Sequence, residues 1–442
     1  MPQKVHCSTC VGSRAVLAAP PPMESLRDLA LLAVTLSALV FGGWAGAYVD
    51  APLVGEIVAG MLLGPSGASL LPTYANDAVN LVGNLALVLL VMEGGLGVDV
   101  DSLKRVGLVA CLIAVAGTAL PIALGTAFMT VAGYDATTGV VAGTALSSTS
   151  IGMASRLMKT YGEQNTELGA LVCVAAMADD VLSLVILAII SKGLGSGDSD
   201  TSASTFALAV ATPALVSVGV VVVAAGTFQL VPFLINHGIL PKVFTEPSRN
   251  LRVLGALFAT TLALTYGAGE LGSTHLLGAF VGGLIFSNVD GTRTAWTTHE
   301  PTASWLYSVF FLSVGFRIPL TDMFEVTGFG LGMGYVFPAV FGKLAVGLLV
   351  RDDGYSWNST MSAKGWVVGW CMVGRGELGF VMAQSARESG LISEKPYVAC
   401  IWALLVATVA SPMVLKKALV RWKNADEHLK QEEGNEAIEV QL

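Results

Sequence analysis

Two adjacent carboxylates, Asp179 and Asp180, lie in the middle of an apolar stretch, LVCVAAMADDVLSLVILAII, with eleven uncharged residues on each side. A charged carboxylate at the centre of a bilayer costs about 2.5–3.5 kcal/mol on insertion scales. Two neighbouring carboxylates also repel each other. The two acids therefore cannot both stay ionised at the same time at membrane depth without a partner. We expect the pair to exchange protons for a bound metal cation.

Lys343 is another charge inside an apolar run, YVFPAVFGKLAVGLLV. A buried lysine releases its proton readily, so Lys343 is a candidate to lose a proton when a cation binds nearby. This reading pairs it with Asp179. The alternative is that Lys343 extends along the membrane to the end of the run beside Arg351, with its ammonium group in water.

Two further segments place polar residues at membrane depth. The first, TALSSTSIG, carries the hydroxyls of Ser147, Ser148, Thr149 and Ser150. Such hydroxyls satisfy the backbone where a helix unwinds, or bind a partly dehydrated cation. We therefore name Thr149 with Asp180 as ligands of a transient monovalent cation. Packing between helices is the alternative reading of this segment.

The second segment is CMVGRGELGFVMA, in which glycines flank Arg375 and precede Glu377. Two glycines around charged residues predict an unwound segment in the middle of a span. Arg375 and Glu377 would then neutralise the partial charges at the exposed helix ends. We interpret these two residues as structural and electrostatic, not as ion ligands.

The composition explains which elements must hold these residues. Of 442 residues, 54% are hydrophobic and 13% are charged, against about 25% charged in a soluble domain. The sequence has no stripe of basic residues that would bind nucleic acid. No resident cofactor is expected. Apolar runs long enough to cross a bilayer of about 30 Å recur along the chain. They predict an all-α polytopic membrane protein with thirteen spans, near 29–48, 52–70, 78–98, 106–131, 138–157, 168–191, 204–231, 251–268, 272–288, 303–320, 328–350, 363–387 and 396–418.

Basic residues predict the orientation of these spans. The connections on the C-terminal side hold fifteen Lys and Arg residues, against seven on the opposite side. The positive-inside rule then places the C-terminus in the cytoplasm and the N-terminus on the other face. Residues 1–26 are predicted to be a disordered leader or a targeting segment, and 419–442 an acidic cytoplasmic tail. The sequence leaves open which membrane this is.

Three motifs recur in order at an offset of about 220 residues. LVGEIVAGMLLGPS corresponds to LLGAFVGGLIFSN, LLVMEGGLGVDV to FFLSVGFRIPL, and GTALSSTSIGMA to GWCMVGRGELGFVMA. The offset equals seven spans, so the two copies are inverted in the membrane, as in many secondary transporters. We therefore divide the chain into a first repeat with the first span (27–192), a linker with the seventh span (193–250) and a second repeat (251–418).

The sequence resembles the cation:proton antiporter superfamily, and within it the Kef/NapA-like branch, over most of residues 29–418. The resemblance rests on VGEIVAGMLLGPS, TALSSTS, MADD, FFLSVG and GRGELGFVMA. It implies an NhaA-like fold with two broken, crossing helices in spans 5 and 12, and a homodimer within the lipid bilayer. Asp180 matches the position that binds the transported ion. Asp179 matches the position that is Asp in electrogenic members and pairs with a lysine, here Lys343.

The resemblance implies secondary-active exchange of Na⁺ or Li⁺ for protons by alternating access. A K⁺/H⁺ antiporter or a Kef-like K⁺ efflux protein is the alternative. An intramembrane protease is disfavoured because its two aspartates lie on separate helices. A potassium channel is disfavoured because no TVGYG-like filter is found. Two departures from the family pattern are the leader and the short tail after span 13, which leaves no room for a nucleotide-binding regulatory domain.

Overall fold

The computed structural model describes residues 26–48, 50–98, 100–150, 158, 161–163, 166–189, 215–217, 219, 226, 249–289, 291–350, 356–358 and 361–439. The leader predicted over 1–26 and most of the linker predicted over 193–250 lie outside the described residues. Helices dominate the described part. They are α1 (Leu26–Ala47), α2 (Pro52–Leu63), α3 (Thr73–Leu96), α4 (Val100–Val131), α5 (Ala136–Ala145), α6 (Glu167–Ala188), α7 (Arg249–Glu270), α8 (His275–Phe286), α9 (Thr292–Thr297), α10 (Glu300–Phe316), α11 (Leu320–Met323), α12 (Val326–Leu344), α13 (Ala363–Val373), α14 (Glu377–Glu388) and α15 (Glu394–Glu439).

Seven helices of the described part are long and apolar enough to cross a membrane, and two shorter apolar helices, α2 and α8, accompany them. Twelve of the thirteen predicted spans coincide with a helix or with a pair of helix segments. The seventh, near 204–231, lies almost entirely outside the described residues. The expectation of an integral multi-pass membrane protein is thus supported by the helices themselves.

Two predicted spans were too long. The span predicted over 52–70 ends as a helix at Leu63, because Gly64 and Pro65 follow and the chain folds back on the helix end. There the amide of Ala68 donates to the carbonyl of Leu62 (2.8 Å). The span predicted over 272–288 is helical only from His275 to Phe286.

The purely α-helical prediction needs one small correction. Strands β1 (Ser356–Asn358) and β2 (Met361–Ser362) form a short antiparallel ribbon before α13. The side chain of Ser362 then caps α13 by accepting a hydrogen bond from the amide of Gly365 (3.0 Å).

The helices pack as two groups. In the first, which we call the scaffold, α1 packs on α2, α2 and α3 pack on α10, and α8 packs on α3 and α7. In the second, the core, α4 packs on α5, α6 and α12, and α15 packs on α12 and α13. Among the described residues, contacts between the groups are sparser and join α6 with α8, α10 with α14, and α2 with α15.

Glycines bring the scaffold helices into backbone contact. A Cβ on Gly60 of α2 would collide with the carbonyl oxygen of Leu312 of α10, and a Cβ on Gly283 of α8 would collide with that of Met92 of α3. Small residues at such crossings let membrane helices approach closely. These two glycines are the ones that the sequence repeat aligns with each other, and their helix pairs are equivalent in it.

Candidate functional site

The two predicted breaks are present, and they cross. Helix α5 ends at Ala145, and residues 148–150 continue without helical structure. Helix α13 ends at Val373, and α14 begins at Glu377. The backbone amide of Ser150 donates to the carbonyl of Gly374 (2.9 Å), and the hydroxyl of Thr149 donates to the carbonyl of Met372 (3.2 Å). Each unwound segment thus satisfies backbone groups of the other.

Glycine at position 376 lets the two segments meet. A Cβ there would lie 2.9 Å from the carbonyl oxygen of Thr149, tighter than ordinary contacts allow. The interpretation of Gly376 as part of a break agrees with this close approach. Any larger residue would push the crossing segments apart.

Arg375 is fully buried, and its guanidinium donates to the carbonyl oxygens of Leu146 and Ala339. Leu146 directly follows the last residue of α5, where unpaired carbonyls concentrate negative partial charge. Glu377 stands in the first turn of α14, where a negative charge is favourable. The positions of both residues agree with the electrostatic interpretation made from the sequence.

Asp179 and Lys343 form an ion pair between α6 and α12. The Lys343 ammonium lies 2.8 Å from each oxygen of the Asp179 carboxylate, and both side chains have 0% exposure. The pairing of Lys343 with Asp179 predicted from the sequence is present. The alternative, in which the Lys343 ammonium extends to water beside Arg351, is wrong because the side chain turns inward. The hydroxyl of Thr118 on α4 also donates to Asp179 (3.0 Å). Three hydrogen bonds from two side chains therefore reach this carboxylate.

Sequence reasoning missed Thr118. Its hydroxyl also lies 2.9 Å from the carbonyl oxygen of Ala114 one turn earlier, so its single proton is shared between its own helix and the carboxylate. A single threonine within an apolar span gives no periodic or motif signal. Only the packing of α4 against α6 brings it to Asp179.

Asp180 differs from its neighbour. Within the part of the chain that the structure describes, its carboxylate makes no hydrogen bond, although the residue is only 9% exposed. The charges that act on it are those of Glu377, Asp179 and Lys343. Asp180 is thus a buried acid whose oxygens remain available to a ligand.

The predicted hydroxyl residues lie around the break. All four are buried, and Ser147 donates to the carbonyl of Thr144 (2.7 Å). The hydroxyls of Ser148 and of Ser183, three residues after Asp180 on α6, are buried and have no hydrogen-bond partner among the described residues. Ser183 was not recognised from the sequence. Hydroxyl oxygens without a partner near a buried acid are able to coordinate a hard cation.

A cavity of about 570 Å³, which we call the funnel, lies between scaffold and core. Residues from α3, α6, α8, α10 and α14 line it, among them Leu187, which lies two helical turns beyond Asp180. An ion pair between Arg317 and Glu388 (3.2 Å) crosses from the end of α10 to the end of α14 in its lining. On α6 the funnel is therefore lined on the C-terminal side of Asp180.

Crossed broken helices beside buried acids are typical of ion-coupled secondary transporters. Residues 24–421 match the sodium/hydrogen exchanger (transmembrane) family. The chain belongs to that family, and thus to the cation:proton antiporters, which are transporters rather than enzymes.

Individual relatives agree with this assignment. The chain is 24% identical over 408 residues to the high-affinity Na⁺/H⁺ antiporter NhaS3 of Synechocystis sp., covering 90% of this chain and 84% of that protein. It is 23% identical over 366 residues to the Na⁺/H⁺-K⁺ antiporter GerN of Bacillus cereus, covering 82% and 89%. The structure of the sodium proton antiporter MjNhaP1 from Methanocaldococcus jannaschii superimposes with a TM-score of 0.65, at 14% identity, covering 88% of this chain and 99% of that one.

Proposed function

We propose that this protein exchanges a monovalent cation, Na⁺ or Li⁺, for protons across a membrane, electrogenically and by alternating access. The observation that carries the proposal is the contrast within the acid pair. Lys343 neutralises Asp179, which also accepts a hydrogen bond from Thr118, whereas no hydrogen bond from the described residues reaches Asp180. A buried carboxylate in that condition needs either a proton or a cation.

The charge balance of such a cycle follows from the three ionisable groups. With protons bound, Asp180 is neutral and Lys343 is positive beside negative Asp179, so the site has no net charge. When one cation binds Asp180, with Thr149 as second ligand, the Asp180 proton leaves. The cation also draws Asp179 away from Lys343, which then loses its proton. Two protons leave for one cation entering, and one net charge moves per cycle.

Alternating access is supported by the packing of the helices. The site residues Asp180, Lys343 and Thr149 belong to the core, and the funnel lies between core and scaffold. A shear of the core along the scaffold would close the funnel and open the site to the other face. The crossing breaks would move with the core as one body.

We also infer the coarser assembly from sequence and packing. The equivalent glycine crossings of α2 with α10 and of α8 with α3 support two inverted repeats. Apolar side chains on α1, including Phe41 and Trp44, are exposed and suit lipid or a second protomer of a homodimer. The excess of Lys and Arg supports a cytoplasmic C-terminus.

Exchange of K⁺ for protons is the second candidate. It is favoured by the relative named as a Na⁺/H⁺-K⁺ antiporter. The two ions differ in size and hydration, and the ligand oxygens around Asp180 suit either of them. Proton flux in proteoliposomes driven in turn by Na⁺, Li⁺ and K⁺ separates the candidates.

The test of the site is Asp180→Asn in the same proteoliposomes. The amide cannot ionise, so cation-driven proton flux should fall to the level of empty liposomes. The matched control is Glu270→Gln, the same change at the exposed end of α7, which should retain wild-type flux. Retained exchange in Asp180→Asn would refute the assignment of the ion site.

A further inference from the structure

Helix α4 contains a buried proline, Pro121, within its apolar stretch. Because proline has no backbone N–H, the carbonyl of Gly117, four residues earlier, cannot receive its usual helical hydrogen bond from residue 121. The proline ring also pushes that carbonyl aside. Within a membrane, a carbonyl freed in this way is satisfied by a neighbouring helix, a side chain or a water molecule.

Gly117 and Pro121 both lie on the face of α4 that packs on α12. A Cβ on Gly117 would lie 3.4 Å from the ammonium nitrogen of Lys343, and a Cβ on Gly342 would lie 2.8 Å from the Cα of Pro121. In a helix, each carbonyl is directed toward the residue four positions later. The freed carbonyl of Gly117 therefore lies between two points where α4 touches α12, on the side where the Lys343 nitrogen lies.

Glycine at position 117 gives the end of the lysine side chain access to bare backbone. A Cβ there would also lie 3.6 Å from the Cδ of Lys343, so a larger side chain would take the place of the ammonium. The two hydrogen bonds of the ammonium, at 2.8 Å each, go to Asp179 of α6. The Lys343 nitrogen thus stands between the Asp179 carboxylate and the freed carbonyl of α4.

The proposed transport cycle takes the Asp179 carboxylate away from this nitrogen. When the cation is bound, Lys343 is a neutral amine that still carries two N–H bonds, and its side chain has 0% exposure. A buried N–H donor without an acceptor destabilises the state that contains it. The cation-bound state therefore needs an acceptor beside Lys343 other than Asp179.

We propose that the carbonyl of Gly117, freed by Pro121, accepts a hydrogen bond from the neutral Lys343 amine in the cation-bound state. This inference rests on the proposed function and assigns a positioning role to Gly117 and Pro121. The Lys343 proton leaves to water, and the nitrogen turns from Asp179 to the α4 backbone. In the proton-loaded state the carbonyl contributes less, because Asp179 already accepts two hydrogen bonds from the ammonium.

Pro121→Ala tests the role of the freed carbonyl, because the N–H restored at position 121 occupies the carbonyl of Gly117. Na⁺-driven proton flux is measured in proteoliposomes for this variant alone and combined with Lys343→Met. Pro121→Ala alone should raise the KM for Na⁺ about tenfold, within the range expected for one buried donor left without a partner. Combined with Lys343→Met, it should change the KM by less than about twofold, since no amine is left to accommodate.

The double-mutant comparison separates this role from a structural role of the proline. A change in the bend of α4 that disturbs the site would act with or without the lysine. The matched control is Pro412→Ala, the same substitution at the buried proline inside α15. It should leave the KM unchanged in both backgrounds.

Solid-state NMR of wild-type protein measures the contact without a variant of α4. With ¹³C at glycine carbonyls and ¹⁵N at lysine side chains, a hydrogen bond of ordinary length places the Gly117 carbonyl carbon about 4 Å from the Lys343 nitrogen. The corresponding dipolar coupling should grow when Na⁺ is added and be absent from Lys343→Met, which identifies the pair.

Three results would overturn the role of Gly117. They are an unchanged KM in Pro121→Ala, an equal change of the KM in the wild-type and Lys343→Met backgrounds, and no glycine–lysine coupling that disappears with Lys343. Any of them beside normal wild-type flux refutes only this inference. Wild-type protein without cation-driven flux refutes the proposed function itself.

Discussion

Replacing Lys343 by methionine leaves the Asp179 carboxylate buried without its counter-charge. Both side chains have 0% exposure, and the ammonium lies 2.8 Å from both carboxylate oxygens. Removing one partner of a buried pair costs about 3–5 kcal/mol, because the other charge stays desolvated. Thr118 alone would remain as a donor to Asp179. We expect the unfolding temperature in detergent to fall by about 3–10 °C.

The double variant Asp179→Asn with Lys343→Met tests whether this cost comes from the pair. Replacing both members of a buried pair by neutral groups is often close to neutral. We therefore expect the double variant to regain at least half of the stability lost in Lys343→Met. A double-mutant cycle from the four melting curves gives the coupling energy. The exposed Lys395→Met on α15 serves as the control and should melt like the wild type.

The single variant Lys343→Met also tests how much charge moves per transport cycle. Without the Lys343 proton, one proton leaves for each cation, and exchange becomes electroneutral. Currents on a solid-supported membrane should vanish while dye-reported proton flux persists, and a potassium–valinomycin voltage clamp should no longer alter the flux. Currents of wild-type size in Lys343→Met would show that this lysine does not carry the extra charge. Stability losses that simply add in the double variant would show that the two residues are not coupled.

Two further substitutions, Thr118→Val and Asp135→Ala, test single hydrogen-bonding side chains near the site and at the start of α5. Thr118→Val removes the 3.0 Å hydrogen bond to Asp179. Because hydrogen bonds to charged groups contribute about 1.5–3 kcal/mol, we expect the variant to be less stable by that amount. A melting curve equal to that of the wild type would contradict this role. Asp135 caps α5, and the hydroxyl and amide of Thr138, which donate at 2.7 and 3.0 Å, lower the pKa of its carboxyl below the ordinary 3.8. Asp135→Ala should cost about 1 kcal/mol at neutral pH. Since the folded-state pKa of Asp135 is lowered, this contribution to stability is present above pH 3.8 and is lost as the pH falls through the lowered value. Amide hydrogen exchange of α5 should therefore differ between wild type and Asp135→Ala only above that pH. A difference that persists below it would contradict the cap.

The sequence could predict where the candidate site lies because membrane burial makes every charge conspicuous. Asp179, Asp180 and Lys343 stand out in apolar runs, where an ionisable residue is costly unless it has a function or a partner. The breaks were predictable for a related reason. Gly374 and Gly376 around a charge, and four consecutive hydroxyl residues, favour unwound backbone only where other groups can satisfy it.

Only the tertiary structure shows the contacts between residues that lie far apart in the chain. Thr118 reaches Asp179 because α4 packs on α6, and Arg375 finds the carbonyls of Leu146 and Ala339 because the broken helices cross. The funnel depends on how scaffold and core meet. Hydropathy and spacing determine which segments enter the membrane and which charges they carry, but not the angle and register at which helices cross, which follow from side-chain packing.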